Sequence, residues 1–298
     1  MDNVVYDKRF HDLVDTRPLW MASDKFGFPE GPVFLPSGYV IFSDILHEEI
    51  IRFYPPFWFG KERVNSGGAN GNTLDLQGRL ISCEGTLRQL TRREHDGSIT
   101  VLASHYDGKP LNATNDVVVK NDGAIYFTDP YFMGSEESWL APSLAAQDAC
   151  GVYRLDPKGA LKRLHGGIEK PNGLAFSPDE KTLYVVNSAD NAVYAFAVKA
   201  DGSLANKKTW LEMGHGLKPA GDGMKVDTQG NAYVTGPGGV WVADGDGTPL
   251  GVISVPTQCT NVAFYGWDSK LLFITAPPAV YVIRLKVPGI SVIDRIRS

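Results

Sequence analysis

The sequence predicts an all-β chain folded as a six-bladed β-propeller, and three observations carry that prediction. About one residue in six is Gly or Pro, against about one in eight in an average protein, which fits a chain with many tight turns. Apolar and polar residues alternate in short runs, the period-two pattern of a half-buried strand. One unit also recurs six times: a polar leader, a short apolar strand, a turn and a second strand. The leaders are Glu30, Asn70, Asn115, Asn172, Asp222 and Asn261, separated by 40, 45, 57, 50 and 39 residues. Units of that length, each opening with a hairpin, are blades; a β-sandwich has no reason to repeat a polar residue six times in one register.

Taken in order, the units read EGPVFLPSGYVIFSD from Glu30, NGNTLDLQGRLISCE from Asn70 and NDVVVKNDGAIYFTD from Asn115. They continue as NGLAFSPDEKTLYVVNS from Asn172, DGMKVDTQGNAYVTG from Asp222 and NVAFYGWDSKLLFITA from Asn261. Apolar residues stand two and four places after the leader, as in Val117 and Val119, Leu174 and Phe176, or Met224 and Val226. Four units carry a turn glycine eight places after the leader (Gly38, Gly78, Gly123, Gly230), and the units from Asn172 and Asn261 are expected to hold one extra turn residue. The long third interval contains YFMGSEESWLAPSLAAQDA, which breaks the alternation and predicts an excursion over one face with a short helix near Ala141–Ala146. Residues 1–298 are expected to form one propeller domain, with residues 1–25 a lead-in that completes the last blade.

Composition bounds the function. With 43% hydrophobic and 21% charged residues the chain can build a large core, and a net charge of −5 provides no basic footprint for nucleic acid or an anionic membrane. No apolar run approaches 18 residues, the opening MDNVVYDKRFHDLVD has no signal-peptide core, and three scattered cysteines (Cys83, Cys150, Cys259) suit a reducing compartment. A cytoplasmic protein is expected, with a small molecule as its partner.

The leaders carry the chemistry. In a propeller the innermost strands line a central channel, so six residues in one register form a ring at one height. Here every member bears a side-chain oxygen, and two are carboxylates. Converging carboxylates are costly without a neutralising ion, and an all-oxygen set with Asn carbonyls suits a hard divalent cation such as Ca²⁺, Mg²⁺ or Mn²⁺. The histidines fall outside the register; His215 stands nearest a leader, before the Asp222 turn. A Ser-His-Asp hydrolase is disfavoured, because GxSxG is absent and no Ser leads a unit. GPGG at 236–239 lacks the lysine of a phosphate loop and reads as a blade turn.

At these residues the chain resembles the gluconolactonase, senescence-marker-protein-30 and regucalcin family of six-bladed propellers, most of all its bacterial gluconolactonase-like branch. The resemblance runs from about Phe28 to Leu285 through FPEGPVFLPSG, GGANGNTLDLQGRLISCE, LNATNDVVVKNDGAIYFTDPYF, KPNGLAFSPDEKTLYVVNS and GDGMKVDTQGNAYVTG. It implies Glu30, Asn172 and Asp222 as metal ligands, and Asn115 as a residue that touches substrate or completes the metal shell. It also widens the choice of cation to Zn²⁺ or Fe²⁺, with Ca²⁺ first. The chain departs from the family at NATNDVV, at AGDGM, at Gly85 after Glu84 and at Tyr265. These positions alter loops that line the pocket but remove no implied ligand.

The expected activity is metal-dependent opening of a lactone, with Asp222 as the general base for the attacking water and the cation polarising the carbonyl. Arg88, Tyr131 and Phe132 are further candidates for substrate contact, and Trp58 in YPPFWFG for a lid or for the core. Phosphotriester or fluorophosphate hydrolysis at the same site, and a non-enzymatic calcium-binding propeller, are the two rival readings.

Overall fold

The computed structural model describes residues 2–131 and 146–296 and is a six-bladed β-propeller. Each blade is an antiparallel sheet read from the axis outward. The six innermost strands are Pro29–Phe34, Ala69–Leu74, Val117–Val119, Pro171–Phe176, Met224–Val226 and Asn261–Tyr265. Each touches the next, and the sixth touches the first, so the ring closes. The lead-in contributes to two blades. Trp20–Ser23 pairs with Ala279–Arg284 as the outermost strand of blade 6, and Val4–Val5 adds a fifth strand to blade 5 by pairing with Pro249–Ser254.

The hairpins show where the sequence reading was right and where it slipped. The residue eight places after the leader has a positive φ in all six units: 77–90° at the four glycines, 55° at Glu180 and 51° at Ser269. The extra turn residue is present in the Asn172 unit, where Phe176 pairs with Leu183. It is absent from the Asn261 unit, where Tyr265 pairs with Leu271 in the register of Phe34 with Val40. Ser269 there takes the left-handed place of a glycine, at a cost of about 1 kcal/mol.

Between blades the strand faces bury apolar side chains. Phe42 and Phe53 of blade 1 meet Phe273 of blade 6 with ring centres 5.5 and 5.4 Å apart, and Tyr126 of blade 3 meets Phe176 of blade 4 at 5.0 Å. Each such fully buried aromatic contributes about 1.5–3 kcal/mol of burial free energy. At the end of the channel away from the leaders, Ile290, Val292 and Arg295 lie under the innermost strands, carried in part by a short helix, Val292–Ile296. The helix expected near Ala141–Ala146 falls, but for Ala146, outside the described residues. No helix among the described residues is long and apolar enough to cross a membrane.

Candidate functional site

The leaders converge because neighbouring innermost strands meet at their first residues. The N–H of Gly173 donates to the carbonyl of Asp222 (3.0 Å), and that of Gly71 to the carbonyl of Asn115 (2.8 Å). The approach excludes a side chain after the leader: a Cβ on Gly31, which also has φ +51°, would stand 2.0 Å from the carbonyl oxygen of Asn70. The glycine after four of the six leaders is therefore a condition for a narrow throat.

Five of the six leaders, Glu30, Asn70, Asn115, Asn172 and Asp222, line one cavity of about 540 Å³ at the mouth of the channel. The sixth, Asn261, is turned aside. Its amide nitrogen donates to Oε2 of Glu30 (2.9 Å), while its oxygen accepts from the backbone of Val262 (2.9 Å). Glu30 Oε2 also accepts from the N–H of Gly31. Burial, reinforced by the nearby Asp116 carboxylate, pushes Glu30 up to about 7, against the opposing pull of those two hydrogen bonds and the Lys225 charge. Asn172 donates through its nitrogen to Oγ of Ser188 (3.0 Å), and Ser188 in turn donates to the carbonyl of Gly221 (2.6 Å). The atom of Asn172 outside this relay is its carbonyl oxygen.

This donor set fits a hard cation. It holds two carboxylates and three amide side chains, and the amide nitrogen of Asn172 is engaged by Ser188. Asp116, which the sequence reading passed over beside Asn115, lies outside the cavity lining but near enough for its charge to act on Glu30. It is buried; Oδ1 accepts from the N–H of Val117 (2.8 Å), and Oδ2 has no hydrogen-bond partner among the described residues. A concentration of negative charge with an orphaned oxygen is the environment a divalent ion neutralises. Among the described residues no group of three or more His, Cys, Asp or Glu converges as a metal cluster, so a cation here would rest on carboxylates together with amide oxygens.

The remaining sequence candidates lie elsewhere. Arg88 donates to the carbonyl of Leu111 (3.5 Å) and its charge acts on Asp129, outside the cavity lining. Tyr131 is half-buried and outside the cavity lining, its N–H donating to Sγ of Cys150 (3.2 Å), and Phe132 lies outside the described residues. His215 is exposed and does not line the cavity. Trp58 is neither lid nor core. It opens the outermost strand of blade 1, Trp58–Val64, 55% exposed, because the radial strand order carries it away from the axis.

The mouth holds residues that the register did not reveal: Phe28, Lys170, Ser188, Lys218 and Gln258. Phe28 and Lys170 each stand two places before a leader, Glu30 and Asn172, an offset that could have found them. Ser188, Lys218 and Gln258 share no such offset.

Comparison with known proteins identifies the family and the fold. The chain is 29% identical to the gluconolactonase of Zymomonas mobilis over 95% of this chain and 86% of that protein. It is 34% identical to a pentonolactonase of Haloferax volcanii, covering 83% and 80% of the two chains. A solved structure from Xanthomonas campestris, described as a gluconolactonase, superposes with a TM-score of 0.86 at 31% identity, covering 96% of this chain and 95% of that one. The profile of the SMP-30/gluconolactonase/LRE-like region matches residues 28–277. A closed ring of six blades with its leaders around one cavity, and a match over most of the chain, make this protein a member of the SMP-30/gluconolactonase/LRE-like family.

Proposed function

We propose that this chain is a divalent-cation-dependent lactonase that opens an aldonolactone-like ring by water attack. The observation that carries the reading is the cavity in which Glu30, Asp222, Asn115 and Asn172 meet. The names of the relatives support the enzyme class. The cation, when bound, supplies a Lewis acid that polarises the lactone carbonyl and stabilises charge on its oxygen. Glu30 and Asp222 hold the charge that retains it, and Asn172, fixed by Ser188, directs its oxygen to the same place. Asn115 orients the substrate or completes the cation's shell. Asp222 takes a proton from the attacking water as its oxygen bonds to the carbonyl carbon. The proton then passes to the ring oxygen as the carbon–oxygen bond of the ring breaks, leaving a hydroxy acid. Ca²⁺ is our first choice of cation, on an all-oxygen donor set. A cytoplasmic setting is part of the reading, supported by three cysteines that form no disulfide.

Turnover of an aldonolactone panel with and without added Ca²⁺, in the wild type and in Asp222→Ala, tests this. We expect cation-dependent hydrolysis that falls by about 10³-fold in the variant. Cation binding without turnover of any lactone would instead favour the binding-protein reading, and turnover of a phosphotriester alone would favour the phosphotriesterase.

A further inference from the structure

Behind the leaders runs a second ring, built of hydroxyl side chains. Among the described residues, five of the six blade junctions hold a Ser or Thr that donates to a backbone carbonyl of the next blade. Ser43 of blade 1 donates to Asn70 (2.8 Å), and Thr128 of blade 3 donates to Asn172 (2.9 Å). Ser188, Thr235 and Thr260 donate in turn to Gly221 (2.6 Å), Thr260 (3.1 Å) and Pro29 (2.7 Å). Every acceptor is a leader or the residue just before one. At the sixth junction, from blade 2 to blade 3, the bond is the backbone one from Gly71 to Asn115.

Thr128 joins more of the site than any other member of this ring. It is fully buried in the second strand of blade 3, Ile125–Asp129. Its carbonyl accepts from the N–H of Asn115 (2.9 Å), and its N–H donates to the carbonyl of Asp116 (3.0 Å). Its hydroxyl accepts from the N–H of Asp116 (3.1 Å) while it donates to the carbonyl of Asn172. A hydroxyl is both donor and acceptor, and here the two functions serve different blades. Asn115 and Asn172, the leaders that it ties together, both line the cavity. Branching at Cβ restricts χ1, so the bridge has little freedom to shift.

We infer that Thr128 is a positioning residue of the lactonase: its hydroxyl fixes the separation of Asn115 and Asn172, and through it the affinity for the divalent cation. The inference rests on the role proposed above for those two asparagines. Valine has the shape of threonine without the hydroxyl, so it would fill the same space. It would also take one partner each from the Asp116 N–H and the Asn172 carbonyl, and leave the two backbones free to part. A cation held by oxygens at about 2.3–2.6 Å responds to such a shift.

The experiment measures Ca²⁺ affinity by calorimetry and aldonolactone turnover in the wild type, Thr128→Val, Thr128→Ser and Thr91→Val. Thr91 is the control: it is also buried, its hydroxyl donates to Oε1 of Glu84 (2.9 Å), and it lies outside the cavity lining. Thr128→Val should weaken Ca²⁺ binding about 10–100-fold and lower kcat/KM at limiting Ca²⁺ in proportion. Thr128→Ser, which keeps the hydroxyl, should restore most of both. Thr91→Val should lower the urea midpoint as Thr128→Val does, yet leave affinity and turnover unchanged. Should the valine variant not fold, Thr128→Cys, a weaker donor, takes its place with a smaller loss of the same kind. Wild-type affinity in Thr128→Val or Thr128→Cys, or an equal loss in Thr128→Ser, overturns the inference. Asn115→Ala and Asn172→Ala keep this failure apart from that of the site itself. If neither alters affinity or turnover, the proposed site falls and Thr128 with it; if both do while Thr128→Val does not, only the positioning role falls.

Discussion

The two ends of the central channel are built from the same six strands and are chemically opposite. At the leader end, Glu30, Asn70, Asn115, Asn172 and Asp222 surround a cavity of about 540 Å³. At the other end, two to four residues along the same strands, Val117, Leu174, Phe176 and Val226 meet Ile290, Val292 and Arg295 of the C-terminal segment. That end is closed off by the C-terminal segment over a largely apolar cavity of about 460 Å³, where Arg295 donates to the carbonyl of Val119 and pairs with Glu180 at 3.3 Å. Lys225 lies between the two ends, its ammonium donating to the carbonyl of Met224 (3.0 Å) and its charge reaching Glu30. One end holds polar atoms at the cost of burying them, and the other supplies rigidity. The ring of hairpins joins the two, so each can be disturbed separately.

The largest effect is expected at the closed end. Ile293, 3% exposed, belongs to the buried cluster that holds Phe34, Phe42, Phe53 and Phe273, and Ile293→Ala should cost about 3 kcal/mol in urea unfolding. Ca²⁺ affinity, read by calorimetry, should not move; a parallel loss would mean that the ends are not separable. Somewhat smaller, and confined to the open end, is the effect of Glu30→Gln, which should weaken Ca²⁺ binding about 100-fold, with Asn261→Ala weakening it about tenfold through the lost hydrogen bond to Glu30. Unchanged affinity in Glu30→Gln would remove that carboxylate from the ligand set.

A third prediction concerns a buried carboxylate beside the open end. Asp129 accepts from the N–H groups of Asn112 and Ala113, both at 2.8 Å, and so anchors the segment that leads to Asn115. Burial pushes it up to about 7, against those two hydrogen bonds and the Arg88 charge. Its folded pKa is above its unfolded one, so its stabilising contribution is fully present below about pH 4, declines as pH rises, and is gone above about 7. Stability should therefore drop by about 2–3 kcal/mol between pH 5 and 8 on its account, and Asp129→Asn should flatten the profile of urea midpoint against pH. A profile equally steep in the variant would assign the slope to another group. The smallest effect is at a turn: Ser269→Gly should stabilise the chain by about 0.5–1 kcal/mol in thermal unfolding by relieving the left-handed backbone. A loss of stability would mean that contacts of the serine outweigh that strain.

The division between legible and illegible residues follows from range. Five cavity residues were readable because a strand's period of two and a fixed offset to the turn are local properties. The same logic misjudged the Asn261 turn, where a serine stands in the left-handed place usually given to glycine. Asp116 was hidden by its neighbour: Asn115 is the residue in register and lines the cavity, while Asp116 acts on Glu30 through its charge from outside the lining. Lys218 and Gln258 were missed because loops carry no period. Arg88, Tyr131 and Trp58 were proposed on their chemistry, without a register to place them.

The sequence by itself determined the number of blades, the pairing within five of the six hairpins and a ring of oxygen-bearing leaders, since each follows from interactions within a few residues of chain. Tertiary structure alone decided that Asn261 turns from the cavity to hold Glu30, 231 residues away, and that Asn187 and Asn191 brace the lysines of the mouth. It also decided how the N-terminal strands join blades 5 and 6. The Asn261–Glu30 bond forms only when blade 6 closes on blade 1, and the other contacts join segments that no local pattern relates.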